Sequence, residues 1–348
     1  MARLYFAGLQ LEGDRGLSSD DVILYRLLEL LPNFPEGVGV FFLPTVSDQK
    51  VEDRGKTRIW IHHFASWSDY VIMSRPLSFS VDEVEEIALK LKQKGNYKLI
   101  ASIASHRLSS LKMLAGRLAD KVDGFEVDLG LLYLLAGGRR GFEAYAIDIL
   151  EEFISSSSKP VMVKLNPIAP LSQEFIRQLK SIGITALVFS PHVIYSVGNE
   201  FFRVHSTYLS KIYALIWAKL IATSDIPSAY ISDVPEDTLS DFTVERSFDI
   251  LLYDTALLRH VVDLPQINKF DDEFLVKWVK IPERLRPAVN TREEPHCIKV
   301  CPFKAFSPSG FAPEATSEIL VASENCDRCG LCLSCCRSAR FVAVISPE

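Results

Sequence analysis

From about residue 38 onward the chain alternates short runs of β-branched and aromatic residues with longer stretches of helical period, which restricts it to βα units around a parallel sheet. The apolar runs are Val38 to Leu43, Tyr70 to Met73, Lys98 to Ala104, Gly124 to Leu129, Val161 to Leu165, Ala186 to Phe189, Ala229 to Ile231 and Phe248 to Leu252. Eight strands are enough to close a barrel, so an α/β fold, a (β/α)8 TIM barrel over residues 1–280, is expected. Helix signals fall between the runs. Ser80-Val81-Asp82-Glu83 is a capping box, after which Val81, Val84, Ile87, Ala88 and Leu91 share one helical face. Leu108, Leu111, Leu114, Ala115 and Leu118 repeat the spacing, and Tyr208, Ile212, Leu215, Ile216 and Leu220 mark the longest helix.

Composition narrows the class. At 48% hydrophobic and 24% charged residues the chain is an ordinary globular protein, neither collagen-like, coiled-coil nor disordered. Its net charge of -6 supplies no basic field, so neither nucleic acid nor a membrane surface is an expected partner. The first residues, MARLYFAGLQLEGD, lack the apolar stretch of a signal peptide. The most apolar later run, IYALIWAKLIATSD, holds Lys219 and ends at Asp225. A cytoplasmic location is the expectation.

After Lys280 the alternation stops. Residues 281–293 are rich in proline and mixed charge and read as a linker to a small module at 294–348. All seven cysteines lie in that region, between Cys297 and Cys336, at spacings that suit a metal site better than a disulfide framework. Cys326-Asp-Arg-Cys329-Gly-Leu-Cys332 places three thiols at i, i+3 and i+6 on a glycine-containing loop, matching three corners of an iron–sulfur cube. Zinc, the other candidate, more often takes two separated pairs of ligands.

The tail resembles a bacterial-type ferredoxin over about 50 residues, most specifically at CPFKAF and CDRCGLC. The resemblance implies a ferredoxin-like domain with one [4Fe-4S] cluster on Cys301, Cys326, Cys329 and Cys332. A second cluster would need cysteines where Thr291 and Glu294 stand, which leaves Cys297 and Cys336 as its orphaned ligands and Cys335 without a slot. Cys336 is the alternative to Cys301 as fourth ligand.

Within residues 35 to 260 the chain also resembles the flavin-dependent dihydroorotate and dihydropyrimidine dehydrogenases. GVGVFFLPTVS at 37–47 is similar to that family's first strand, and LIASIAS at 99–105, DGFEVDLG at 123–130 and KPVMVKLNP at 159–167 to its third, fourth and fifth. The resemblance implies FMN at the carboxyl ends of the strands, with Lys164, Asp128 and Thr255 at the cofactor. An ion pair of Lys164 with Glu126 or Asp128 is the competing reading. The sequence departs from the family elsewhere. Leu43 and Pro44 stand where a flavin-contacting lysine is expected, the loop at 131–141 (LLYLLAGGRRG) holds no catalytic serine or cysteine, and Asp128 and Ser190 stand at positions of substrate-binding asparagines. Asp233 and Asp254 oppose a phosphate after strands seven and eight, so FMN binding is expected to be weak or absent. No useful oxidation of dihydroorotate is expected.

Two functions follow. One is an iron–sulfur oxidoreductase passing electrons between a barrel-bound cofactor and the cluster; the other is a catalytically degenerate barrel serving a redox partner protein or larger complex as relay or scaffold. Among remaining motifs, His62-His63 reads as a solvated strand edge, Gly137 to Gly141 as a flexible loop, and Asp20-Asp21 and Asp271-Asp272-Glu273 as helix starts.

Overall fold

A closed parallel sheet lines its interior with every second strand residue and turns the others toward its helices. The computed structural model describes residues 4–20, 25, 37–48, 60–63, 70–74, 79–138, 140–168, 172–197, 200–222, 224–232, 247–253, 285–290, 292, 305–306, 319–323 and 340–343. The chain begins with a hairpin, β1 (Leu4–Phe6) and β2 (Leu9–Leu11), then β3 (Arg15–Leu17), β4 (Val38–Ser47), β5 (Trp60–His63) and β6 (Tyr70–Ser74). There follow α1 (Val81–Lys94), β7 (Lys98–Ala104), α2 (Leu108–Leu118), β8 (Gly124–Asp128), α3 (Leu129–Leu135), α4 (Phe142–Ser156), β9 (Val161–Leu165), α5 (Gln173–Ser181) and β10 (Ala186–Phe189). The last elements are β11 (Val193–Val197), β12 (Glu200–Ser206), α6 (Thr207–Ile221), β13 (Ser228–Ser232), β14 (Ile250–Tyr253), β15 (Leu285–Asn290), β16 (Ile319–Val321) and β17 (Arg340–Ala343).

β3, β4, β7, β8, β9, β10, β13 and β14 close into a parallel barrel, with β14 pairing back onto β3. This is a TIM barrel. One strand differs from the sequence expectation: Tyr70 to Met73 is not a barrel strand, and the first barrel strand is Arg15–Leu17. Three residues led by an arginine carry no apolar run to detect. Gly16 is there because β3 and β4 press together; a Cβ on it would lie 2.4 Å from the Val40 carbonyl oxygen. The segment GVGVFFLPTVS is consequently barrel strand two, so Leu43 and Pro44 do not end strand one.

Tyr70–Ser74 belongs instead to an antiparallel sheet of order β11-β12-β6-β5. Its two hairpins leave the barrel after β4 and after β10, at the carboxyl ends of the strands, and β5 with His62 and His63 is its edge. The opposite end is plugged by the N-terminal hairpin. Phe6, Ala7 and Leu11 join Val40, Phe42, Ile100, Met162 and Leu252 in one interior apolar cluster.

The helices form as their periodicity requires. Ser80 N donates to Glu83 Oε2 at 2.7 Å and Glu83 N to Ser80 Oγ at 3.3 Å, completing the capping box, and α1 buries Val84, Ile87, Ala88 and Leu91. Among the described residues no helix is long and apolar enough to cross a membrane.

At the C-terminal end β15 is the central strand of a three-stranded antiparallel sheet between β16 and β17. It lies within residues 281–293, read above as a linker. Its proline disguises it, yet Pro287 faces Phe341 of β17 and lies outside the β16 ladder, which starts at Ala288, so the proline interrupts no pairing there. Val289, Ala305, Phe306 and Ala322 join the apolar cluster outside the barrel wall, so the sheet packs on the barrel. All seven cysteines lie outside the described residues.

Candidate functional site

Along each of four neighbouring strands the inward-facing residues change from apolar to polar toward the carboxyl end. Ile100 is followed two residues later by Ser102, Met162 by Lys164, and Val188 by Ser190; β8 presents Glu126 and Asp128. β4 reaches the same layer by a bulge. Between Leu43 and Val46 its register against β7 slips by one residue, which brings Thr45 Oγ1 to 2.9 Å from Ser102 Oγ. The period-two alternation thus places a polar layer on top of an apolar one, at the mouth where such barrels build their sites.

Lys164 is the centre of that layer. Its Nζ lies 2.7 Å from Asp20 Oδ1, 2.7 Å from Asp128 Oδ2 and 3.6 Å from Glu126 Oε1, and it donates to Ser19 Oγ at 2.9 Å and Thr45 Oγ1 at 3.3 Å. Asp20 is shared. Arg203 Nη2, from β12, lies 2.8 Å from its Oδ1, while Ser190 Oγ and His192 Nδ1 each lie 2.7 Å from its Oδ2. Ser19 Oγ donates to Glu126 Oε1 at 2.7 Å, and Asp128 Oδ1 accepts the Leu131 N–H at 3.0 Å, capping α3. Asn166 Nδ2 donates to the His192 carbonyl. Lys164, Arg203, Glu126, Asp128, Ser190 and His192 are all 0% exposed.

Two cations here face three carboxyl groups, and the environment divides the roles. Burial pushes the Asp20 carboxyl up, but the charges of Arg203 and Lys164 and the His192 hydrogen bond outweigh it and hold the group well below the usual carboxylate range. Burial pulls the Lys164 ammonium down, but Asp128, Asp20 and Glu126 together raise it above its ordinary value. Glu126 goes the other way. Burial raises its carboxyl, with Asp128 adding to the rise, and Lys164, Ser102 and Ser19 offset only part. A lysine so loaded is an ammonium and not a nucleophile.

Of the residues the sequence singled out, the structure brings Lys164, Asp128, Glu126 and Ser190 together. Thr255, Asp233, Asp254, Cys301, Cys326, Cys329 and Cys332 lie outside the described residues. Asp20 is a buried carboxylate whose own N–H is held by Ser18 Oγ at 2.9 Å, a role the reading of Asp20-Asp21 as a helix start did not anticipate; Asp21 lies outside the described residues. His192 and Arg203 went unnoticed, for neither sits in a motif. The helix α3 (Leu129–Leu135) takes up the first five residues of the segment 131–141 read as a loop, after which Gly137, Gly138 and Gly141 take positive φ.

No family model and no curated protein matches the chain. Solved structures resemble it only distantly. Dihydrodipicolinate synthase from Oceanobacillus iheyensis is 11% identical with a TM-score of 0.34, covering 53% of this chain and 54% of its own. The 2-keto 3-deoxygluconate aldolase from Picrophilus torridus is 14% identical at 0.34, covering 56% and 63%. FabK from Thermotoga maritima is 10% identical at 0.36, covering 71% and 60%. The chain spans between about half and two thirds of these proteins' lengths. The barrel assignment stands on the closed strand order and not on these likenesses.

Proposed function

We propose that this chain is an iron–sulfur redox protein in which the barrel no longer serves flavin chemistry and acts as the body that presents one [4Fe-4S] cluster to a redox partner. The observation that carries the barrel half of this reading is the cage around Lys164. A flavin contacting that lysine would have to draw its Nζ away from two carboxylates at 2.7 Å and leave Asp20, Asp128 and Glu126 buried with less positive charge. The mouth therefore does not fit FMN as the family resemblance would place it. The cluster half rests on the donor set: three thiols at i, i+3 and i+6 suit a cube, with Cys301 as fourth ligand to Cys326, Cys329 and Cys332. Cysteine thiolates hold the iron, and the cluster supplies electron transfer when bound. The acidic chain favours a partner with a basic docking face.

Titration with FMN tests the barrel half. No binding at about 100 micromolar is expected, far above the range of a specific cofactor site. Nanomolar binding that Lys164→Ala abolishes would overturn the reading and restore a flavoenzyme.

A further inference from the structure

Four donors from three segments converge on one carboxylate at the barrel mouth, and that carboxylate belongs to a turn and not to the barrel wall. Lys164 of β9 and Arg203 of β12 meet Asp20 Oδ1 at 2.7 and 2.8 Å; Ser190 and His192, beyond the end of β10, meet Oδ2 at 2.7 Å each. Two cations, a hydroxyl and an imidazole arranged around two oxygens form a cradle for a free carboxylate. The network around it is not closed on itself. Among the described residues, Arg203 Nε and Glu126 Oε2 are buried without a well-aligned hydrogen bond, on side chains with no exposed surface, with Ser102 the hydroxyl beside the Glu126 carboxyl. Glu126 borders the same ammonium, since Ser19 Oγ bridges its Oε1 and Lys164 Nζ at 2.7 and 2.9 Å. Orphaned atoms weaken a purely structural ion cluster but suit one whose full complement includes a ligand.

We propose that the barrel mouth is a binding site for a small hydroxycarboxylate, with the Asp20 side chain as its resident occupant. The free acid exchanges with Asp20 between Lys164, Arg203, Ser190 and His192, and its hydroxyl meets Glu126 Oε2. A hydroxyl both donates and accepts, so it satisfies Glu126 whether or not that carboxyl holds its proton. The inference rests on the self-filled mouth and not on the tail cysteines, and the FMN titration tests the mouth separately.

The test uses the full chain carrying Asp20→Ala, titrated calorimetrically with glycolate and with acetate. Both should bind saturably, glycolate about tenfold tighter because of one added buried hydrogen bond. Wild type should bind glycolate about tenfold more weakly than the variant, since the tethered Asp20 competes at a high effective concentration. Absence of binding to the folded variant at about 50 mM, beyond the weakest range expected for so small a ligand, overturns the proposal. Equal or weaker binding of glycolate than acetate overturns it too, because a hole that merely replaces the lost side chain has no use for the hydroxyl. Should Asp20→Ala not fold, the melting temperature of wild type decides. A rise with glycolate exceeding that with acetate at equal ionic strength supports the site, and no such excess refutes it.

Discussion

Replacing Lys164 by methionine removes the one ammonium among three buried carboxyl groups while keeping an unbranched side chain only one atom shorter. Two contacts at 2.7 Å and one at 3.6 Å are lost. At an effective dielectric constant of about 20 these attractions are about 6 kcal/mol each for the shorter pair and about 5 for the longer. Against them stand the several kcal/mol needed to bury an ammonium and the continued cover of Asp20 by Arg203 at 2.8 Å. The net loss on breaking such a buried cluster is about 3–5 kcal/mol. For a barrel of this length that is a fall of about 5–9 °C in melting temperature. The pH dependence has a definite sign. Without Lys164 the folded-state carboxyls titrate higher than in the unfolded chain, so folded protein binds the extra protons and the penalty shrinks as pH falls toward about 4. Urea and thermal melts of wild type and Lys164→Met at about pH 7.5 and about pH 4.5 read both effects, the acid point lying near ordinary carboxyl values. A loss below about 1 kcal/mol at neutral pH, the scale of an exposed ion pair, would refute the cage as the reason Lys164 is there. So would a loss that grows in acid.

Glu126→Gln removes the carboxyl that burial holds above its ordinary value. Because the folded state keeps that proton longer than the unfolded one, wild type should lose stability relative to the variant as pH rises from about 4 through the raised value, read as a changing difference between urea midpoints. Ser80→Ala breaks the capping box at the start of α1 and should cost about 1 kcal/mol at all pH values above carboxyl titration, measured by urea denaturation. Cys329→Ala should abolish iron binding while the far-ultraviolet circular dichroism of the barrel persists, because the barrel core is built without cysteine. Loss of the barrel signal as well would show that the cluster supports the whole chain.

The sequence made the barrel wall legible because long apolar strands and capped amphipathic helices are local signals. Gly124 to Asp128 and Val161 to Leu165 are examples: the interruption of an apolar run by Glu126, Asp128 and Lys164 at alternate positions already marks one polar face. Arg15–Leu17 escaped because a three-residue strand shaped by Gly16 depends on its neighbours for identity. Tyr70–Ser74 misled for the opposite reason, since its apolar run suits an antiparallel strand equally well. The site was only half readable. Asp20 reaches Lys164 across 144 residues and Arg203 reaches Asp20 across 183, separations that no spacing rule spans. Both distances are closed by the barrel returning to its first strand and by the hairpin after β10 folding over the mouth.

Counting iron, acid-labile sulfide and FMN in anaerobically purified protein tests the central claim most directly. The account predicts about four irons and four sulfides per chain, as one cube requires, without stoichiometric flavin. About eight irons, stoichiometric zinc, or one FMN per chain would contradict it.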